Sequence, residues 1–394
     1  MPHTLSFDGP RLLRPDERGA SQRLSQLCFS DAPSGDPPEL TADQPAGRPA
    51  RGAGETYGIS VDGRLVSQIS LFFTPLHLAG ARLLVGHIGG VCTHPDFREH
   101  RFAGRLLAHC AARLAEGGAQ FMLISGERGL YRRAGCVDMG RFYDFQLAPG
   151  QPHPSVPNLQ LHRAQPSDAA LAARLYQSES VHFARVHAAY AQGFLPHPSG
   201  FRAEEWRLDL DDRPAAYMLL NTPYDVLDQP SPRVRCVHEY AGSRLAVAAA
   251  AALIMDELRL EVLRFPVPWQ DSDLIHLLRA SHTQPGFTNL PDHTLRLLNF
   301  PSLMTALRPN LHACLSESQR RGLRFTQNGP LLAASGMDRF SITRGSERVE
   351  LDGAAMSALV FGGPAGQPTL PGTLGEIVNA IFPLPAFMIG LDYH

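Results

Sequence analysis

Residues Val91–Leu107, VCTHPDFREHRFAGRLL, leave the chain few folds to choose from, because a strand must run straight into a helix through a short basic turn. Leu83 to Cys92 is a β-type run. Pro95 has no N–H to give a ladder, so the strand ends near it. Beyond Arg98 the apolar residues Phe102, Ala103, Leu106 and Leu107 recur at helical spacing. A strand entering a helix in this way leaves backbone N–H groups open at the helix start. Together with the positive end of the helix dipole they make a place for an anion, typically a phosphate.

The flanking sequence predicts a mixed α/β (α+β) sheet with helices on both faces. Asp16 precedes a periodic segment with Leu24, Leu27 and Phe29, a first helix between Arg11 and Ser30. Residues 32–54 are rich in Pro, Gly and Ala and read as a loop. Glu55–Ser60, Leu65–Thr74 and Ala81–Cys92 read as successive strands, with turns at Asp62-Gly63 and near Pro75. A helix over Arg105–Ala115 is closed by Gly117-Gly118. A strand at Gln120–Ile124 leads to Tyr131 and Gly135, and alternation resumes from Cys136 to Leu147.

The segment HPDFREHRFAGRLL resembles the acyl-CoA-binding turn of the GNAT acetyltransferase superfamily, read as Arg/Gln, two residues, Gly, one residue, Gly/Ala. Arg98 takes the first place and Ala103 the last, while Arg101 stands where glycine is usual. Tyr131, followed four residues later by Gly135, falls where that superfamily carries a tyrosine on a short helix. The two motifs occur in the expected order.

A chain of 394 residues is too long for one ordinary core. Proline-rich Ala148–Pro157 marks a boundary. Beyond it His162-Arg163-Ala164, Asp168 and a helix over Ala169–Gln177 echo Leu13-Arg14-Pro15-Asp16 and its helix. Strands at Ala215–Leu220 and Val234–Tyr240, a helix over Gly242–Leu258 and a strand at Leu260–Pro266 complete a weaker copy. Ala241-Gly242-Ser243-Arg244 stands where the basic turn would be, so this copy is not expected to bind CoA. The tail from about Pro301 has strand-like pieces at Ser341–Thr343, Val349–Leu351 and Ala358–Val360 and one helix in LGEIVNAIFP, a small α+β unit.

This plan resembles the enhanced-intracellular-survival type of acetyltransferase, with an active GNAT domain, a degenerate copy and a sterol-carrier-like tail. The resemblance implies segments 1–148, 158–298 and 301–394. It also implies that Tyr131 is the general acid and that the terminal carboxylate of His394 is the base. CoA contacts would fall on Val91, Cys92, Thr93, Arg98, Glu99, His100, Arg101, Phe102, Ala103, Gly104, Gly126 and Glu127. From the residues alone, His87, His94 and Glu127 are alternative bases, Tyr131 could be a packing residue, and Cys92 reads as a buried strand residue.

Two functions from different classes follow. One is an acetyl-CoA-dependent N-acetyltransferase acting on the primary amine of a small molecule or peptide. The other is a non-catalytic protein binding CoA or an apolar ligand. Net charge near −2 argues against non-specific nucleic-acid binding. All 36 basic residues are arginine, so no lysine can serve as a nucleophile. The scattered cysteines lack zinc spacing, so no metal is expected. No signal-peptide pattern or spanning run is recognised, and the expected location is cytoplasmic. The expected partners are acetyl-CoA and an amine acceptor, with no nucleic acid, no membrane span, and self-association to form a homo-oligomer left open.

Overall fold

The computed structural model describes residues 6–29, 54–78, 80–126, 128–138, 141–185, 204–221, 233–280, 286–289, 293–329, 338–362 and 370–385. The first half contains β1 (Asp8–Leu12), α1 (Arg18–Phe29), β2 (Glu55–Val61), β3 (Arg64–Leu78) and β4 (Ala81–Thr93). It continues with α2 (Phe102–Glu116), β5 (Phe121–Ser125), α3 (Gly129–Arg133) and β6 (Val137–Asp138). Asp62 and Gly63 have φ of 49° and 76°, as a tight two-residue hairpin requires.

The chain then runs through β7 (Arg141–Leu147), β8 (Leu159–Arg163), α4 (Ala169–Gln177), β9 (Val181–Phe183), β10 (Glu204–Leu210), β11 (Arg213–Asn221) and β12 (Val234–Gly242). After these come α5 (Arg244–Leu258), β13 (Val262–Pro268), α6 (Ser272–Arg279), β14 (Gly286–Asn289) and β15 (His293–Leu297).

Strand order in the first sheet is β1-β2-β3-β4-β5-β15-β6, with β9 added beside β3. In the second it is β8-β10-β11-β12-β13-β7-β14. The two orders correspond position by position, so the second copy is present as a topology. In each, the fourth and fifth strands are parallel and joined by a helix of 15 residues. In each, the sixth strand is antiparallel and comes from the other half of the chain, β15 against β5 and β7 against β13. Sheet membership therefore crosses the proline-rich stretch. Even the entry repeats, since Glu17 accepts from the Arg14 N–H at 2.9 Å and Asp168 from the Gln165 N–H at 2.8 Å.

Pro75, expected near a turn, lies inside β3 opposite Leu84. Its carbonyl accepts from the Ala184 N–H, so the side lacking an N–H faces the short strand β9, and the ladder with β4 is intact.

The last segment holds α7 (Phe300–Ala306), α8 (Arg308–Cys314), α9 (Glu317–Arg320), the antiparallel strands β16 (Leu323–Asn328), β17 (Arg339–Arg344) and β18 (Glu347–Asp352), then α10 (Gly353–Phe361) and α11 (Gly372–Ile381). Ala358–Val360, expected as a strand, belong to α10. Asp352 caps that helix by accepting from the Ala355 N–H at 2.8 Å. A helix apolar on most sides gives no period by which a short run could be told from a strand.

The first sheet is buried on both faces. Met122 and Ile124 pack with Leu106, Leu107 and Leu114 of α2, while Phe121 and Leu123 pack with Phe300, Leu303, Phe340 and Met356 of the last segment. Phe382 and Leu384 belong to that second core, and residues 386–394 lie outside the described residues. The alanine-rich run in α5 is buried against the second sheet, where small side chains let helix and sheet approach. Among the described residues no helix is long and apolar enough to cross a membrane, and no group of three or more His, Cys, Asp or Glu is placed to hold a metal.

Candidate active site

The parallel pairing of β4 with β5 stops at Ile88 and Ile124. Beyond it β4 continues to Thr93, paired among the described residues with β3 alone, through Gln68–Cys92 and Ser67–Thr93. The register shifts between Gln68 and Ser70, opposite Gly90 at φ 60°. A bulge there re-aims the strand away from β5. Among the described residues the edge of Val91–Thr93 that faces β5 has no strand partner, only the Cys28 thiol donating to the Thr93 carbonyl at 3.5 Å, and it can pair with an extended ligand as an added strand would.

At Pro95–Phe97 the chain makes a single 3-10 turn. Its cap is His94, a candidate base, which is buried with Arg64 Nη2 2.5 Å from its Nε2 and the Asp96 N–H 3.2 Å from its Nδ1. Arg64, on β3, can only donate, so Nε2 is the acceptor nitrogen of the ring and is already occupied. Glu99 and Arg101 follow at φ 70° and 60°. Arg101 therefore holds the left-handed conformation that glycine would supply, at a cost of roughly 1–2 kcal/mol. Helix α2 starts at Phe102, one turn earlier than the sequence suggested, and its start has no side-chain cap. The first amides of α2, at Phe102, Ala103 and Gly104, are open to an anion.

These elements enclose a cavity of about 620 Å³. Val91, Cys92, Thr93, Arg98, Glu99, Arg101, Phe102, Ala103 and Gly104 line it, as do Cys28, Phe29, Phe97, Arg128, Leu130 and Arg133, which the sequence reading did not assign. Four arginines thus face one acid, Glu99. Two of the four flank Tyr131 in the sequence, and that local basic density was the available signal. His100 is not in the lining: its Nδ1 lies 2.9 Å from the Arg98 carbonyl oxygen and its ring stacks on Phe102. Glu127 and His394 lie outside the described residues. The other candidate base, His87, is buried between Phe72 and Phe183, with ring centroids 4.5 and 5.4 Å away.

Tyr131 is buried on α3, beside Leu130 of the cavity wall. Gly126, at φ 119°, meets the edge of its ring: a Cβ added there would stand 3.0 Å from Cε2. Gly135, at φ 78°, leaves room for the Arg296 guanidinium, 3.4 Å from where its Cβ would be. Both motif glycines are thus explained by close approach as well as by backbone conformation. Burial pushes the Tyr131 hydroxyl above the usual value, with Arg128 opposing and Cys136 adding, so it keeps its proton at neutral pH. Cys92 is pushed up to about 12 by burial and by the Cys28 thiol, which keeps it a thiol rather than a nucleophilic thiolate.

Residues 10–137 match the acetyltransferase (GNAT) domain family. This segment resembles a GNAT domain. Solved structures extend the likeness to the whole chain. A GCN5-related N-acetyltransferase from Kribbella flavida superposes with TM-score 0.63 at 16% identity, covering 99% of each chain. One from Anabaena variabilis gives 0.61 at 14% identity, covering 99% of this chain and 100% of that one. Eis1 from Mycobacterium abscessus gives 0.59 at 16% identity, covering 98% of both. At these identities the likeness is one of fold. No match is found among curated protein sequences.

The second sheet splays at the same point as the first. Parallel pairing of β12 with β13 ends at Cys236 and Arg264, and a cavity of about 480 Å³ opens beyond it. Its lining is of opposite sign: Glu179, Glu239, Asp271 and Asp273 with one arginine, Arg244. Arg244 bonds Glu179 at 2.5 Å and Asp271 at 2.8 Å, and the Gly242 N–H donates to Glu179 at 2.9 Å. A carboxylate of the chain itself therefore stands at the start of α5.

Proposed function

We propose that this protein is an acetyl-CoA-dependent N-acetyltransferase that moves an acetyl group to a primary amine of a small molecule or peptide, with one active domain per chain. The observation that carries this reading is the cavity at the β4–α2 turn. It joins an unpaired strand edge, open helix amides and four arginines, with a protonated tyrosine behind its wall.

In this reading Arg98, Arg101 and the amides of Phe102–Gly104 hold the phosphates of the CoA. The backbone of Val91–Thr93 bonds the pantetheine arm and lays the thioester along the splay. The neutral amine attacks the thioester carbonyl, forming the amide and breaking the carbon–sulfur bond. Tyr131 gives its proton to the departing thiolate and is reprotonated, through solvent, by the proton that the attacking nitrogen releases on becoming an amide. The acid-lined second cleft is unsuited to a polyanion, which supports a single donor site.

Arg98→Ala is expected to weaken acetyl-CoA binding by about 1–3 kcal/mol through loss of a charge-assisted contact, read by calorimetry. The activity itself is tested by incubating the chain with acetyl-CoA and a panel of primary amines (spermidine, ethanolamine, lysine and short peptides) and following CoA release by chromatography. The expected result is CoA release matched by an amine heavier by one acetyl group. CoA bound without turnover on any amine would favour the non-catalytic reading.

A further inference from the structure

We propose that Arg296 is a positioning residue for Tyr131, through which the last segment of the chain governs proton transfer in the GNAT domain; this rests on the acetyltransferase reading above. Helix α3 has five residues, too few to hold its own geometry, so whatever grips its ends decides where the Tyr131 hydroxyl stands. The grip comes from β15, the strand contributed by the other half of the chain.

Two neighbouring side chains on one face of β15 bracket the tyrosine. Thr294, fully buried, donates from Oγ1 to the Gly126 carbonyl at 3.2 Å, and Gly126 is the residue that abuts the edge of the tyrosine ring. Arg296 donates from Nη1 to the Ala134 carbonyl at the C-terminal end of α3 and lies against Gly135. Carbonyls at a helix end have no partner within the helix, so this one is free to be tethered. The other arm of the guanidinium, Nη2, donates to Asp338 at 2.6 Å.

Arg296 and Asp338 are almost wholly enclosed, their side chains 4% and 3% exposed. A surface ion pair could be an accident of packing. This pair has been taken out of water, and replacing both partners by apolar residues of similar size is often neutral or favourable for stability. The pair is accounted for by position: the guanidinium fork fixes α3 from a point outside the matched segment. The planar fork reaches two acceptors in set directions, which an ammonium does not.

The test separates position from stability by removing both charges together. The Arg296→Met/Asp338→Leu chain is expected to fold with a melting temperature close to that of the parent and to bind acetyl-CoA with unchanged Kd. Its kcat is expected to fall about tenfold, and adding Tyr131→Phe should then cost far less than it does in the parent, because the hydroxyl is already misplaced. Arg296→Lys should fall between the two. If the double variant does not fold, Arg296→Lys carries the same two readouts. A parental kcat in the variant, or an undiminished Tyr131→Phe penalty in its background, overturns the inference. Full turnover by Tyr131→Phe in the otherwise unchanged chain would instead remove the acid role itself, before Arg296 is touched.

Discussion

Replacing Tyr131 by phenylalanine is expected to slow acetyl transfer by roughly 10²–10⁴-fold while leaving the Kd for acetyl-CoA unchanged. The substitution removes one hydroxyl and leaves the ring against Gly126 and the core of Ile88, Leu106 and Ile124. Packing is therefore kept, and the loss falls on the step in which the thiolate departs. A group that acts only in the transition state changes kcat and kcat/KM together. The direction of the hydroxyl's shift adds a second readout. Burial raises it above its ordinary value of 10.0, so it stays a donor throughout the neutral and mildly alkaline range. No fall in kcat below about pH 10 should trace to this group. Steady-state rates with a good amine acceptor check both points. Unchanged turnover would return Tyr131 to the status of a packing residue.

Glu205→Gln is expected to stabilise the folded chain at pH 8 by roughly 2–4 kcal/mol and to do almost nothing near pH 4.5. Glu205 sits on β10 beneath α4, beside a cavity of about 20 Å³, room for about one water. Its Oε2 is enclosed and has no hydrogen-bond partner among the described residues. Burial, then the neighbouring Glu239 and Asp168, pushes its carboxyl from 4.5 up to about 9. At pH 8 the unfolded chain carries this group ionised, and folding must take up a proton. Stability is thus highest below about 4.5 and is lost as pH rises toward 9. Glutamine has nearly the same shape and nothing to protonate, so the variant escapes that loss. Urea unfolding at the two pH values measures it. An equal gain at both would mean that Glu205 is ionised in the folded chain.

How much of this was legible in the sequence depends on the range of the interaction involved. The β4–turn–α2 stretch and the Tyr131–Gly135 pair are local. Pro95, the helical spacing of Phe102 to Leu107 and the small residues around Tyr131 each constrain the backbone within a few positions. The repeated entry, Leu13-Arg14-Pro15-Asp16 echoed by His162-Arg163-Ala164 and Asp168, was visible for the same reason. The exchange of β7 and β15 was not, because an alternating strand carries no mark of which sheet it will join. Arg296 was equally hidden: an arginine in a strand-like run usually faces water, and only the meeting of α3, β15 and Asp338 encloses it. Arg128 and Arg133 could have been assigned to the cavity, since they stand on either side of the tyrosine in a segment already read as part of the site.

The sign of the charge in the two clefts leads to the most direct test. Both sheets have the same strand order, and both splay after the fourth and fifth strands. The first presents four arginines and open amides at that point. The second fills it with Glu179 and Asp271 around Arg244. Calorimetric titration of acetyl-CoA into the full chain is therefore predicted to saturate at one molecule per chain, with Arg98→Ala weakening that site without changing its number. Two sites per chain, or none, would contradict this account.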